Sequence, residues 1–317
     1  MNSTNSVTSV NSLFLRTILF ATFSGVGAAV LWGPLRELAV LSLDEPLYSY
    51  IILIPLFSIT IILLKRKDVF SQVTFAPAIG AAGVLTGLAL LIAGTVFKPD
   101  LGDNDSLSLC TSAFVLMVIG VFVGIYGKQA FKKAMFPLLF LFFIVPVPGV
   151  ILYRCVRFLQ QMTADAVDGV FALIGLTYLR TGMVFQLPDV AIEVAEQCSG
   201  IRSSLSLVVA TTAAGYVFLE TGWRRLIAVL AIIPITIFKN ALRITALTLM
   251  ASYVDPSWLT DSWLHSAGGK PFFFIALLIW LPILWLLWRS EKKRHTRQKA
   301  KGSRPDEKGD GIGTEPA

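Results

Sequence analysis

The sequence predicts an all-α polytopic membrane protein, with about eight transmembrane helices in a compact bundle. Three observations predict it. Of 317 residues, 55% are hydrophobic and only 15% are Asp, Glu, Lys or Arg, against about 25% charged in soluble domains. Mean hydropathy is +0.71. The apolar residues also fall into separate runs of roughly twenty, the helix length that crosses a hydrocarbon layer of about 30 Å. Runs this continuous do not suit barrel strands, which alternate, and a helix satisfies its own backbone within lipid.

The first expected span is Leu13 to Trp32, with Gly25 and Gly27 suited to close packing. The twelve residues before it are polar and lack a basic segment, so this run reads as a retained span and not a cleaved signal peptide. Pro34 and the Asp44-Glu45 stretch interrupt the chain before a second span, Leu47 to Leu64, which stops at Lys65-Arg66-Lys67. Spans three and four are Phe75 to Phe97 and Leu109 to Tyr126, separated by Asp100, Asp103, Asn104 and Asp105. Span five, Ala134 to Leu152, should bend or end at Pro146 and Pro148.

From Arg154 to Tyr178, apolar Val156, Leu159 and Val167 are mixed with Arg157, Gln160, Gln161, Asp165 and Asp168. That pattern predicts an amphipathic helix, expected on the periplasmic side, and not a span. Met183-Val184-Phe185 and Val190-Ala191-Ile192 predict a short hairpin within 181–195. Spans six, seven and eight are Ile201 to Leu219, Leu226 to Met250 and Pro271 to Trp288. The resulting organisation is a segment 1–12, a membrane domain 13–288 and a basic tail 289–317.

Charge sets the expected orientation. With both termini cytoplasmic, the inside connections carry Lys65-Arg66-Lys67, Lys128, Lys132, Lys133 and Arg224-Arg225. The outside connections carry Glu37, Asp44, Glu45, Asp100, Asp103, Asp105, Asp165, Asp168, Asp189, Glu193, Glu196, Asp255 and Asp261. This is the positive-inside bias. The net charge is +7, and basic residues cluster in the tail, among them Arg289, Lys292, Lys293, Arg294 and Arg297. Its placement suits topology and contact with acidic lipid heads, and no nucleic-acid partner is expected.

Of the three cysteines, Cys110 and Cys155 read as structural and Cys198 precedes span six on the outside. No Cys/His spacing suggests a metal, and no cofactor is expected. Arg243 lies 17 residues beyond Leu226, or about 25 Å along a helix, which carries it toward the outer boundary. Of two histidines, His295 lies in the tail and His265 lies in the outside loop before span eight. A thiol, a guanidinium and an imidazole on one face would serve acyl transfer. Cys198 would attack a carbonyl, His265 would move the proton, and Arg243 would stabilise anionic sulfur, an oxyanion or a substrate carboxylate. Each residue also has a bland role: an incidental thiol, a capping histidine, a paired arginine. Glu193, Glu196, Gln197 and Arg202 would orient the site or face water. Gly200 would form a turn, and Lys239 and Asn240 need partners within span seven.

Three segments carry a family resemblance. They are Glu196-Gln197-Cys198-Ser199-Gly200-Ile201-Arg202, Asn240-Ala241-Leu242-Arg243-Ile244 and Trp263-Leu264-His265-Ser266-Ala267-Gly268-Gly269. With the proline segment Ile144-Val145-Pro146-Val147-Pro148, they make the chain resemble the exosortase/archaeosortase family over roughly residues 40–288. The resemblance implies Cys198 as nucleophile, Arg243 as electrostatic or orienting residue, and His265 as proton carrier. It also implies a bacterial inner-membrane enzyme that cleaves C-terminal sorting signals from exported proteins bearing a hydrophobic anchor, with transfer to an exopolysaccharide or lipid acceptor as one outcome. The chain departs from the family's Tyr-Ser-His-Gly-like sequence at Tyr48-Ser49-Tyr50-Ile51, a difference that bears on substrate selectivity. The alternatives are a small-solute transporter, suggested by Lys239 and the proline-interrupted spans, and a noncatalytic membrane assembly protein.

Overall fold

The computed structural model describes residues 3–188, 190–196, 200–255 and 270–302, with side chains over 12–188, 190–196, 200–255 and 272–294. Two compact units divide it, Met1–Leu159 and Gln160–Ala317. The described residues are mostly helical, with three short strands among them, as expected of an all-α polytopic membrane protein.

The first unit opens with α1 (Ser3–Val30), α2 (Trp32–Asp44), a 3-10 turn (Pro46–Tyr48), α3 (Leu53–Leu64) and the single turn α4 (Arg66–Val69). Of the two expected interruptions, the Asp44-Glu45 stretch does end a helix, whereas Pro34 lies within one. Pro34 lies in the first turn of α2, where a missing N–H removes no helical bond. Then follow α5 (Pro77–Val96), the turn α6 (Lys98–Leu101) and α7 (Asp103–Phe140), which continues as a 3-10 turn to Ile144.

Among the described residues, seven helices are long and apolar enough to cross a membrane: 12–30, 46–64, 77–96, 103–144, 201–218, 222–253 and 272–294. The fourth contains both predicted spans four and five, divided at Gly127, whose φ of 89° and ψ of 172° are not helical. Only glycine adopts that conformation readily, and a Cβ there would strike the Thr74 carbonyl.

Close packing in this unit comes from small residues. A Cβ on Gly80 of α5 would lie 2.5 Å from Gly124 Cα of α7, one on Gly87 would lie 2.8 Å from Ala113 O, and one on Gly94 would lie 3.0 Å from Cys110 Sγ. The glycine face therefore lets two backbones approach as lipid-immersed helices commonly do. Opposite faces carry Leu85 and Ile92, more than half exposed in the protein and suited to lipid. At the head of α7, Asn104 Nδ2 donates to Val147 O (3.0 Å) and Ser108 Oγ donates to Pro146 O (2.8 Å). Asp105 Oδ1 accepts from Gly149 N (2.6 Å). These bonds hold the extended Pro146–Pro148 segment and cap the next helix, α8 (Gly149–Leu173), so the prolines end the preceding helix as expected.

α8 is the predicted amphipathic helix, and it carries the boundary between the units. Within the second unit its apolar face, Ala164, Val167 and Phe171, packs on a small antiparallel sheet. The strands are β1 (Leu179–Thr181), β2 (Val184–Gln186) and β3 (Ala191–Glu193), in the order β1-β2-β3. Phe185 pairs with Arg180 on one side and Ile192 on the other, so the hairpin signal extends to a third strand. Asp165 and Asp168 face Arg180 at 2.6 and 3.3 Å. Tyr178 donates to Asp168 at 2.7 Å, and that carboxylate holds the phenol above its usual pKa.

Beyond the sheet come α9 (Ile201–Phe218), α10 (Gly222–Leu230), α11 (Ile232–Tyr253) and α12 (Lys270–Gly302). Their core is Leu207, Leu219, Ala228, Ile232, Ile235, Ala276, Trp280 and Leu284. The helix expected to end at Trp288 continues into the basic segment. Glu291 is 4% exposed there and pairs with Arg224, which is 5% exposed, at 3.1 Å. Arg224, read from sequence as part of an inside connection, is a buried residue paired with Glu291.

Candidate active site

The α9–α11 pair holds the centre of interest. α11 needs no strong local signal to be helical, because an apolar run in lipid must close its own backbone bonds. Its Thr236, Lys239, Asn240 and Arg243 recur at helical spacing on one face. Lys239 and Asn240 are 3% and 2% exposed, and Arg243 is half-buried.

That face meets α9 in an antiparallel register. Ser204 Oγ lies 3.2 Å from Thr236 Oγ1. Lys239 Nζ donates to Ser203 Oγ. Asn240 fills the space a Cβ would take on Gly200, where such an atom would fall 2.7 Å from the Asn240 Cγ and closer still to its amide atoms. Thus positions that rise along α11 meet positions that fall along α9. Arg243 lies one turn beyond Asn240, toward the start of α9. Its Nε is buried and has no hydrogen-bond partner among the described residues.

Gly200 itself has φ of 74° and stands in front of α9 in the left-handed region. Its carbonyl accepts from Ser203 Oγ (3.0 Å) and Ser204 Oγ (2.8 Å), which locks the turn to the helix that follows. An L side chain in this conformation costs about 1–2 kcal/mol, and here it must also displace Asn240. Gly200→Ala is therefore expected to lower unfolding free energy in detergent by at least about 1 kcal/mol. Stability equal to wild type would mean that Asn240 does not occupy this space.

Of the three residues assigned to chemistry, only Arg243 falls among the described residues; Cys198 and His265 lie outside them, as does Gln197. Glu193, Glu196 and Arg202 are exposed. Cys110 is buried against Gly94, and Cys155 is exposed. Among the described residues no three His, Cys, Asp or Glu side chains converge into a metal-ligand set. Sequence reasoning singled out Lys239, Asn240 and Gly200 but missed Ser203, Ser204 and Thr236. The available signal was spacing: Ser203 and Ser204 follow Gly200 by three and four residues, and Thr236 precedes Lys239 and Asn240 by the same intervals.

The family model described as transmembrane exosortase matches residues 42–281, well over half of the chain. The chain belongs to the transmembrane exosortase family. The match runs through the Tyr48 region, the Pro146–Pro148 segment and the α9–α11 pair alike. Neither a search of curated proteins nor one of solved structures found a match. Membership makes this exosortase a multi-pass membrane protein and implies the processing of sorting signals on exported proteins in general.

Proposed function

We propose that this exosortase is a cysteine endopeptidase or transpeptidase with Cys198 as nucleophile, His265 as proton carrier and Arg243 as electrostatic residue. It acts in a bacterial inner membrane, with the site on the outer face of a single membrane domain spanning 13–288. The observation that carries the reading is the seat of Asn240 against Gly200. It joins the Asn-x-x-Arg element to the turn that follows the cysteine. Two peptide units separate Cys198 from Gly200, a reach of at most about 7 Å. Arg243 is about 4.5 Å along the helix from Asn240. His265 belongs to the connection between the end of α11 and the start of α12.

His265 takes the thiol proton as Cys198 sulfur attacks a substrate carbonyl, and Arg243 stabilises the oxyanion. The carbon–nitrogen bond breaks, and His265 returns the proton to the leaving amine. Water, or a hydroxyl of a surface acceptor, then attacks the thioester and regenerates the thiol. The outer-face assignment rests on the charge bias. It is also supported by Arg243 lying 21 residues from Gly222, about 32 Å of helix against a hydrocarbon layer of about 30 Å. The transport alternative drew on Lys239, which is shut from solvent and bonded to Ser203.

Mass analysis of exported proteins in cells with and without the gene tests the reading. The expected result is intact C-terminal sorting regions only in cells lacking it, and a new C-terminus, bare or joined to an acceptor, in cells that have it. Identical termini in both, with altered movement of a small solute, would establish the transporter instead.

A further inference from the structure

The catalytic reading leaves Lys239 without a role. It is 3% exposed within a membrane-spanning helix, and no carboxylate pairs with it among the described residues. Its Nζ donates to Ser203 Oγ, which in turn donates to Gly200 O. A buried ammonium whose one partner among the described residues is a neutral hydroxyl is costly. Arg243, four residues on and on the same face, adds a second positive charge, and like charges at that spacing repel. A residue kept for packing alone would be served at least as well by an apolar side chain of similar length. The start of α9 contributes the positive end of its helix dipole at the same place. The Lys239 ammonium and the positive end of α9 thus meet at the Gly200 turn.

We propose that Lys239 is a positioning residue for this site: its ammonium, tied through Ser203 to the Gly200 turn, supplies the positive field that sustains anionic sulfur at the head of α9. The inference rests on the assignment of Cys198 above. An ammonium in an apolar setting acts on a nearby anion more strongly than one in water, because less solvent screens it.

The surrounding charges leave few competitors. On α9, Arg202 is exposed. On α8, which packs against Ala241 and Ile244, Asp165 and Asp168 are engaged by Arg180. On the strand side, Glu193 and Glu196 are exposed. On α12, the run Phe272 to Trp288 has no ionisable side chain, and Glu291 is taken by Arg224. On α10, Arg225 is bonded to the Leu219 carbonyl.

The test uses the full chain in membranes and follows iodoacetamide alkylation of Cys198 across a pH series, read by peptide mass, beside processing of a sorting-signal protein. Lys239→Met is expected to move the alkylation midpoint up by about one pH unit, so that the thiolate fraction falls about tenfold at pH values below both midpoints. Processing should fall with it. Lys239→Arg should keep the wild-type midpoint, since it keeps the charge. Ser203→Ala, which removes the tether and leaves the charge, should move the midpoint by much less than Lys239→Met. A merely structural Lys239 would leave the midpoint in place in all three variants, and that result overturns the proposal. So does a shift in Lys239→Arg as large as in Lys239→Met. The alkylation profile needs no turnover, so failure of this inference is separable from failure of the functional reading, which shows as unchanged processing in Cys198→Ala.

Discussion

Cells whose only exosortase carries Cys198→Ala are expected to retain every substrate with its C-terminal sorting region uncut. The reason is chemical. The proposed acyl transfer passes through a thioester, and alanine offers no nucleophile in its place. Cys198→Ser keeps a nucleophilic atom of smaller size, but its hydroxyl stays protonated near neutral pH, so a drop of at least about a hundredfold in cleavage is expected for it too. Cys110→Ala and Cys155→Ala serve as controls. One thiol is buried against Gly94 and the other is exposed on α8, and neither substitution should change the new C-terminus. Mass analysis of the substrate, with the variant protein shown to reach wild-type abundance, checks this. Normal cleavage in Cys198→Ala would remove the cysteine from the mechanism.

Glu291→Ala should be the most destabilising single change at the other end of the second unit. Glu291 Oε1 lies 3.1 Å from Arg224 Nη1 and accepts from Thr221 N (2.8 Å) and from the Thr221 hydroxyl. Its Oε2 accepts from Glu220 N (3.0 Å). One carboxylate thus caps the start of α10 and neutralises a buried guanidinium. Its removal strands Arg224 beneath the surface and leaves backbone N–H groups without an acceptor. Breaking a buried pair in this way costs about 3–5 kcal/mol. Replacing both partners, as Arg224→Met with Glu291→Leu, should recover a large part of the loss, because the stranded charge goes with the carboxylate. Denaturant unfolding of the purified proteins in one detergent measures both. A Glu291→Ala variant within about 0.5 kcal/mol of wild type, the usual range for surface changes, would contradict the burial of the pair.

Most of the helices were legible because their signal is local. Lipid requires an apolar run to satisfy its backbone internally, so Pro46–Leu64, Pro77–Val96 and Ile201–Phe218 follow from length and hydropathy. The period of α8 and the alternation around Phe185 were equally local, and both elements are present. The same reading misjudged Pro34, which begins α2 where an interruption was expected. It also ended the last span at Trp288, because charge was weighed without its partner. For the site, Gly200 and the Asn240–Arg243 element were recognisable as motifs, whereas the serines that join them to Lys239 were not.

By itself, then, the sequence determined that this chain is a helical membrane protein, where its apolar runs lie and which motifs carry the family resemblance. Only the tertiary structure decided that Asn240 sits in the hollow of Gly200, that Lys239 reaches Ser203, and that Glu291 meets Thr221, 70 residues away. Apolarity drives a segment out of water, but lipid is as apolar as leucine, so the same force does not choose which helix faces meet. That choice falls to the fit of small residues and the pairing of a few polar groups, and those become visible only when the helices are set side by side.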